Sequence, residues 1–191
     1  MKLASSRDLE KQKDVLRDPS VSGPEPIYWV FNEVSQDSWE NVTIIQSGLY
    51  GNEYPKTYGH YHKDHAPDEV YHLIEGEGIL QLQKKHYENG EHIPEKVDEV
   101  YLIRAKAGDE IIIKNYMGHS WSNIGKMPLV SYDNWRNGHT PDEYTPMERL
   151  HGLAYYLVEE NGEVKAHANP NYVDLPEPKW LSAEEFKNLN L

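Results

Sequence analysis

Short apolar runs, many of them β-branched, recur along this chain, and Gly, Pro, Asn or Asp separates most of them. Runs at 27–31, 42–45, 58–62, 69–73 and 79–83 occupy the first half, and runs at 100–103, 110–113, 119–122 and 129–132 the second. Alternation is clear in places, as in Ile79-Leu80-Gln81-Leu82-Gln83. A last pair, 155–158 and 164–166, flanks Asn161-Gly162, a dipeptide suited to a tight hairpin turn. Short strands at regular spacing with glycine turns predict an all-β sandwich or barrel. Residues 84–99 read as a polar hairpin tip, and Ala107-Gly108-Asp109 as a turn entering a strand. Helix signals are confined to the ends. Residues 8–17 predict a short helix stopped by Asp18-Pro19, and Ser182 with Glu185 makes a capping box near the C-terminus. The expected layout is an N-terminal arm at 1–25, one domain at 26–172 and a tail with a short helix at 173–191.

One segment carries chemistry: Gly59-His60-Tyr61-His62-Lys63-Asp64-His65-Ala66-Pro67-Asp68-Glu69. His60 and His62 are two positions apart, which puts both imidazoles on one face of an extended strand. A turn around Ala66-Pro67-Asp68 would return the Glu69 carboxylate beside them, and His119 lies about fifty residues on. Three imidazoles and one carboxylate make a site for a first-row divalent cation, with positions open for substrate or water. An isolated His-x-His is more often two surface histidines on an edge strand, so the pair needs its partners. His65 falls in the turn, and His72 is one residue off the Glu69–Tyr71–Leu73 face, so it should point outward. His86 and His92 belong to the polar hairpin and read as solvated, while His151 and His167 show no partner in the sequence.

Bulk properties remove several function classes. The formal charge is −13, from 19 basic and 32 acidic residues, with no basic run to neutralise phosphates. That argues against nucleic-acid or anionic-membrane partners. With no cysteine, neither a disulfide scaffold nor a cysteine-ligated zinc finger is available. The N-terminus is polar, without an apolar signal core, and no segment has the apolar length to span a bilayer, so cytoplasm is the expectation. Fourteen tyrosines and five tryptophans against two phenylalanines suggest a pocket or interface with wet aromatic edges.

The run Thr57-Tyr58-Gly59-His60-Tyr61-His62, then Glu69-Val70-Tyr71 and Gly76, resembles the first motif of the cupins, and in particular of the cupin-type phosphoglucose isomerases. His119 with Ser120-Trp121-Ser122-Asn123 resembles that family's second motif, and the likeness covers roughly 26–172. The resemblance implies a double-stranded β-helix, a jelly-roll barrel, with a short arm that helps the chain form a homodimer. It implies one divalent metal (iron, manganese, nickel or zinc) on His60, His62, Glu69 and His119. It also implies interconversion of glucose 6-phosphate and fructose 6-phosphate, in glycolysis and gluconeogenesis. Glu69 matches the residue proposed as base, and His139 a histidine assisting ring opening or substrate contact. Thr43, Thr57 and Gly59 match phosphate contacts, and Tyr71 and Tyr28 match substrate contacts; the plain alternatives are a strand threonine and barrel-core tyrosines. One departure stands out: where the family has a tyrosine, this chain has Trp135, and an indole cannot accept a hydrogen bond as a phenol does. The competing classes are another metal-cupin enzyme, such as a different sugar-phosphate isomerase, an epimerase or an oxygenase, and a non-catalytic sugar-binding cupin.

Overall fold

Burial alternates residue by residue along the central strands, and that alternation decides which side chains enter the barrel. In the computed structural model, which describes residues 1–34, 39–63, 66–135, 142–189 and 191, strand β4 (Glu69–Glu75) buries Glu69, Tyr71 and Leu73 and turns Val70, His72 and Ile74 outward. Its companions in chain order are β1 (Lys2–Arg7), β2 (Tyr28–Asn32), β3 (Asn41–Ile45), β5 (Glu77–Glu88), β6 (Glu91–Lys106), β7 (Glu110–Ile113), β8 (Met117–Asn123), β9 (Leu129–Asp133), β10 (Tyr155–Glu160), β11 (Glu163–Ala168) and β12 (Lys179–Ser182). They form a six-stranded sheet in the order β1-β2-β3-β9-β4-β7, a four-stranded sheet in the order β12-β6-β5-β8, and the β10-β11 hairpin. The chain crosses from one large sheet to the other between β4 and β5, β6 and β7, β7 and β8, and β8 and β9, and all pairings but β12–β6 are antiparallel. This is the all-β class that the strand pattern predicts, in the jelly-roll form that the resemblance implies.

The main core lies between the sheets, where Leu73, Leu80, Leu82, Ile103, Ile113 and Trp121 are almost fully buried. Fully buried Asn123 donates to the carbonyls of Ile45, Gln46 and Met127 and accepts from the Gly125 N–H, which ties the end of β8 to the loop after β3. No helix among the described residues is long and apolar enough to cross a membrane.

Several local expectations change. Residues 84–99, expected as a polar tip, are mostly strand. The tip shrinks to Asn89-Gly90, both at positive φ, because Lys85 and Val97 pair across the ladder and are buried. The predicted helix at 8–17 is only α1 (Leu9–Gln12) followed by a 3-10 turn at Lys13–Val15. Tertiary anchors override its propensity: Gln12 donates to the Lys56 carbonyl, Val15 and Leu16 are buried, and the Arg17 N–H donates to Glu53. Residues 2–7 of the expected arm are the edge strand β1 paired to β2. A short helix, α2 (Thr145–Arg149), had no clear signal. The capping box is present on α3 (Ala183–Lys187), whose Phe186 packs edge-on against Tyr101 in the core.

The segment 58–62 is not a continuous strand. Gly59 sits at φ +82, in the left-handed region, and the stretch meets neighbouring backbone through the isolated bridges His60↔His119 and Tyr61↔Glu143. A Cβ at Gly59 would meet the His119 carbonyl at 3.3 Å, so glycine lets this segment lie close against β8.

Candidate metal centre

Three elements bring the four candidate ligands together. β4 opens with Glu69, β8 carries His119, and reciprocal backbone hydrogen bonds between His60 and His119, at 3.2 and 3.0 Å, hold the His60–His62 segment on β8. The imidazole centroids are 4.3 Å (His60–His119), 5.1 Å (His62–His119) and 5.2 Å (His60–His62) apart. Glu69 Oε2 stands 3.2 Å from Nε2 of both His62 and His119. One ligand atom from each residue lies within 4.8 Å of all the others. His62, Glu69 and His119 are almost wholly buried, and the His60 side chain keeps 18% of its exposure.

The donor set fits a cation. Among the described residues, both ring nitrogens of His62 and of His119 and Glu69 Oε2 are buried without a hydrogen-bond partner. Each such group costs roughly 1–3 kcal/mol when left unmet, and one nitrogen of each ring together with Oε2 can meet a shared cation. Burial, together with the neighbouring His119, pushes His60 well below the ordinary histidine range and favours the neutral, lone-pair form. Burial alone would raise the Glu69 carboxyl; the adjoining His119 and His62 more than offset it and hold it below the usual carboxylate range.

A cavity of about 190 Å³ opens on this cluster. Its walls include Tyr28, Thr43, Thr57, Gly59 and Tyr71 along with His60, Glu69 and His119, so every described substrate-contact candidate from the sequence shares one chamber with the ligands. Thr57 Oγ1 accepts from the Trp121 N–H at 3.0 Å, while Ser120 Oγ donates to the Thr57 carbonyl at 2.8 Å. The Thr57 hydroxyl in turn donates to Ser120 Oγ at 3.2 Å. Tyr71 is pushed well above the ordinary tyrosine range by burial and by Glu69, so its phenol stays protonated. His139 and His65 lie outside the described residues.

Trp135 has a different part from the one the sequence comparison assigns to its position. Its indole stacks flat on the His62 ring, with centroids 3.9 Å apart and planes 8° from parallel. It also lines the cavity, whereas His62 does not. Tyr144 lies 5.4 Å from the His60 ring and donates to Asp142 Oδ2 at 3.2 Å.

Ser5, Asn41, Asp133 and Asp142 also line the chamber and were not singled out from the sequence. Asp142 Oδ1 is 3.6 Å from His60 Nε2. Asp133 ends β9, where alternation from Leu129 and Ser131 gave a readable signal that it faces inward. Burial, reinforced by the Glu69 charge, pushes its carboxyl up to about 7, against the opposing hydrogen bonds from Asn41 and the Trp135 N–H. The other histidines lie elsewhere. His72 points outward and stacks on Trp39, and His86 pairs with Asp98 and Glu88. His151 meets the Asp14 carbonyl, and His167 pairs with Glu160. His92, expected in solvent, packs against the rings of Tyr61 and Tyr87, because the extended β5–β6 hairpin carries it inward.

The chain is similar to known proteins over most of its length. The family model described as glucose-6-phosphate isomerase (GPI) matches residues 32–174. The glucose-6-phosphate isomerase of Pyrococcus abyssi is 29% identical over 157 residues, covering 80% of this chain and 76% of the relative. That of Thermococcus litoralis is 28% identical over the same length and shares. Among solved structures, the oxalate decarboxylase of Lactobacillus farciminis in its formate complex aligns over 64% of this chain and 32% of its own, with a TM-score of 0.41 and 18% identity.

Proposed function

Since the chain belongs to the glucose-6-phosphate isomerase family, we propose that it interconverts glucose 6-phosphate and fructose 6-phosphate in the chamber beside His60, His62, Glu69 and His119, which hold one divalent cation. The observation that carries this reading is the convergence of four ligand atoms within 4.8 Å, three of them from residues on the wall of that chamber. Iron, manganese, nickel and zinc all suit three imidazoles and a carboxylate. When bound, such an ion supplies positive charge that polarises carbonyl and hydroxyl oxygens. The reaction belongs to glycolysis and gluconeogenesis, and a cytoplasmic place goes with it.

The chain's own groups divide the work. Thr43, Thr57 and Gly59, which share the chamber wall, hold the phosphate. Tyr28 and the protonated Tyr71 orient the sugar hydroxyls. Glu69 turns Oε2 to the two imidazoles, and its other oxygen serves as the base that moves a proton between C2 and C1. His139 assists ring opening. The test is turnover of fructose 6-phosphate after the metal is stripped and manganese, iron, nickel or zinc is returned singly. Glucose 6-phosphate should form only with metal restored. A metal-loaded protein that stays inactive with every ion would overturn the reading.

The enzyme acts as a homodimer in this proposal, and the outer face of the six-stranded sheet supports it. That face carries the cross-strand rows Trp29–Ile44–Val130 and Leu3–Phe31–Val42–Tyr132, although the inner face already forms the core. A sheet apolar on both faces is normally covered on both. Light scattering should give twice the 22.2 kDa chain mass, and Phe31→Glu should shift it toward the monomer. A wild-type monomer at micromolar concentration would rule the dimer out.

A further inference from the structure

Turning an aldose into a ketose relocates two hydrogens. One leaves C2 for C1, and the hydroxyl hydrogen on O2 must end on O1. The second transfer is required whether the first travels as a proton or as a hydride. Glu69 answers for the carbon-bound hydrogen, and no residue discussed so far carries the other.

Asp133 is built for it. It lies directly across from Tyr71 on β4 and from Asn41 on β3, and directly opposed residues of an antiparallel pair share a face. Its carboxyl therefore enters the chamber on the wall that carries Tyr71 and, two positions back, Glu69. The residue is 4% exposed and still lines the cavity. Asn41 Nδ2 at 2.6 Å and the Trp135 N–H at 3.0 Å both donate to Oδ1. Asn41 Nδ2 also reaches the Trp135 carbonyl, at 2.5 Å, which fixes the strand end carrying both side chains. Oδ1 is committed to two donors, and no hydrogen bond from the described residues reaches Oδ2. A carboxyl buried for no other purpose is costly, since nothing cationic pairs with it among the described residues. The ionisable groups facing it are Glu69 and Tyr71 from β4 and His119 from β8; from β3 it meets only neutral Asn41.

We propose that Asp133 is a second catalytic residue, which carries the oxygen-bound proton between O2 and O1 of the bound hexose phosphate. This rests on the isomerase reading above. From the aldose side, Glu69 takes the C2 hydrogen as a proton, and that electron pair forms the C1–C2 double bond. The C1 carbonyl pair moves to O1, which takes the proton of the Asp133 carboxyl and gives an enediol. The Asp133 carboxylate then removes the O2 proton, the freed pair closes the C2 carbonyl, and C1 takes back the proton from Glu69. Both carboxyls return to their starting state, with no other reactant consumed.

Asp133→Asn keeps the side-chain oxygen that Asn41 and the Trp135 N–H hold, but cannot ionise. In the metal-loaded enzyme it should lower kcat by about 100-fold or more, with KM little changed and metal content equal to wild type. Asp133→Glu, with its carboxyl one methylene further out, should recover part of the loss. An Asn variant that turns over within a few-fold of wild type would overturn the proposal. So would a loss of kcat accompanied by loss of metal and no gain in the Glu variant, which marks a structural role. Failure of the wild-type control to isomerise would instead overturn the isomerase reading beneath it.

Discussion

A His62→Ala variant is expected to purify with almost no bound divalent metal and with isomerase turnover about a thousandfold lower, the equivalent of several kcal/mol of lost charge stabilisation. His62 is the most enclosed of the four ligands: it is fully buried, and Trp135 lies flat against its ring. Alanine leaves a void closed off by that indole, so water has little route to replace the missing nitrogen. His60 sits at the chamber edge with 18% of its side chain exposed. His60→Ala should therefore also lose metal and activity, but to a smaller degree, because solvent can occupy its place. Metal analysis of both proteins after equal dialysis checks the order. A His62→Ala protein that keeps one metal per chain would remove His62 from the ligand set.

Glu69→Gln should lower kcat by up to about 10⁴-fold, the upper range for a lost general base, while KM changes far less. The carboxylate oxygen now faces two imidazole nitrogens at 3.2 Å. An amide can turn its oxygen to them and keep a weakened ligand, but it has no basic oxygen left for C2. The alternative rotamer points N–H donors at the metal position and costs metal as well. Steady-state kinetics at saturating metal, paired with metal content, separate these effects. Turnover within a few-fold of wild type would end the assignment of Glu69 as base.

The candidate ligands were legible because the turn around 66–68 and the alternation of β4 and β8 are local properties. Residue types two apart, then seven apart, keep their relation in any extended chain. Even so, His60 and His62 come together without a strand through 58–62: Gly59 breaks the run, and pairing to His119 restores the approach. Thr43 and Tyr71 were legible as chamber residues through the family resemblance, and each sits on the inward face of its strand. Asp133 had a signal in the alternation of β9, but alternation cannot tell a core position from a chamber wall. That distinction depends on Asn41 and Tyr71, 92 and 62 positions away in the chain, flanking it in the sheet.

Residue identity and spacing were therefore enough for the strand-rich class, the hairpin at Asn161-Gly162, the C-terminal capping box and the set of candidate ligands. Each follows from backbone geometry over a few residues. Folding of the whole chain decided the rest: β1 on the sheet edge, β12 beside β6, His92 packed inward, Trp135 flat on His62, and Asp133 beside Glu69's wall. These depend on which distant strands pair and in what register. Register is set by the sum of many buried contacts rather than by any one segment.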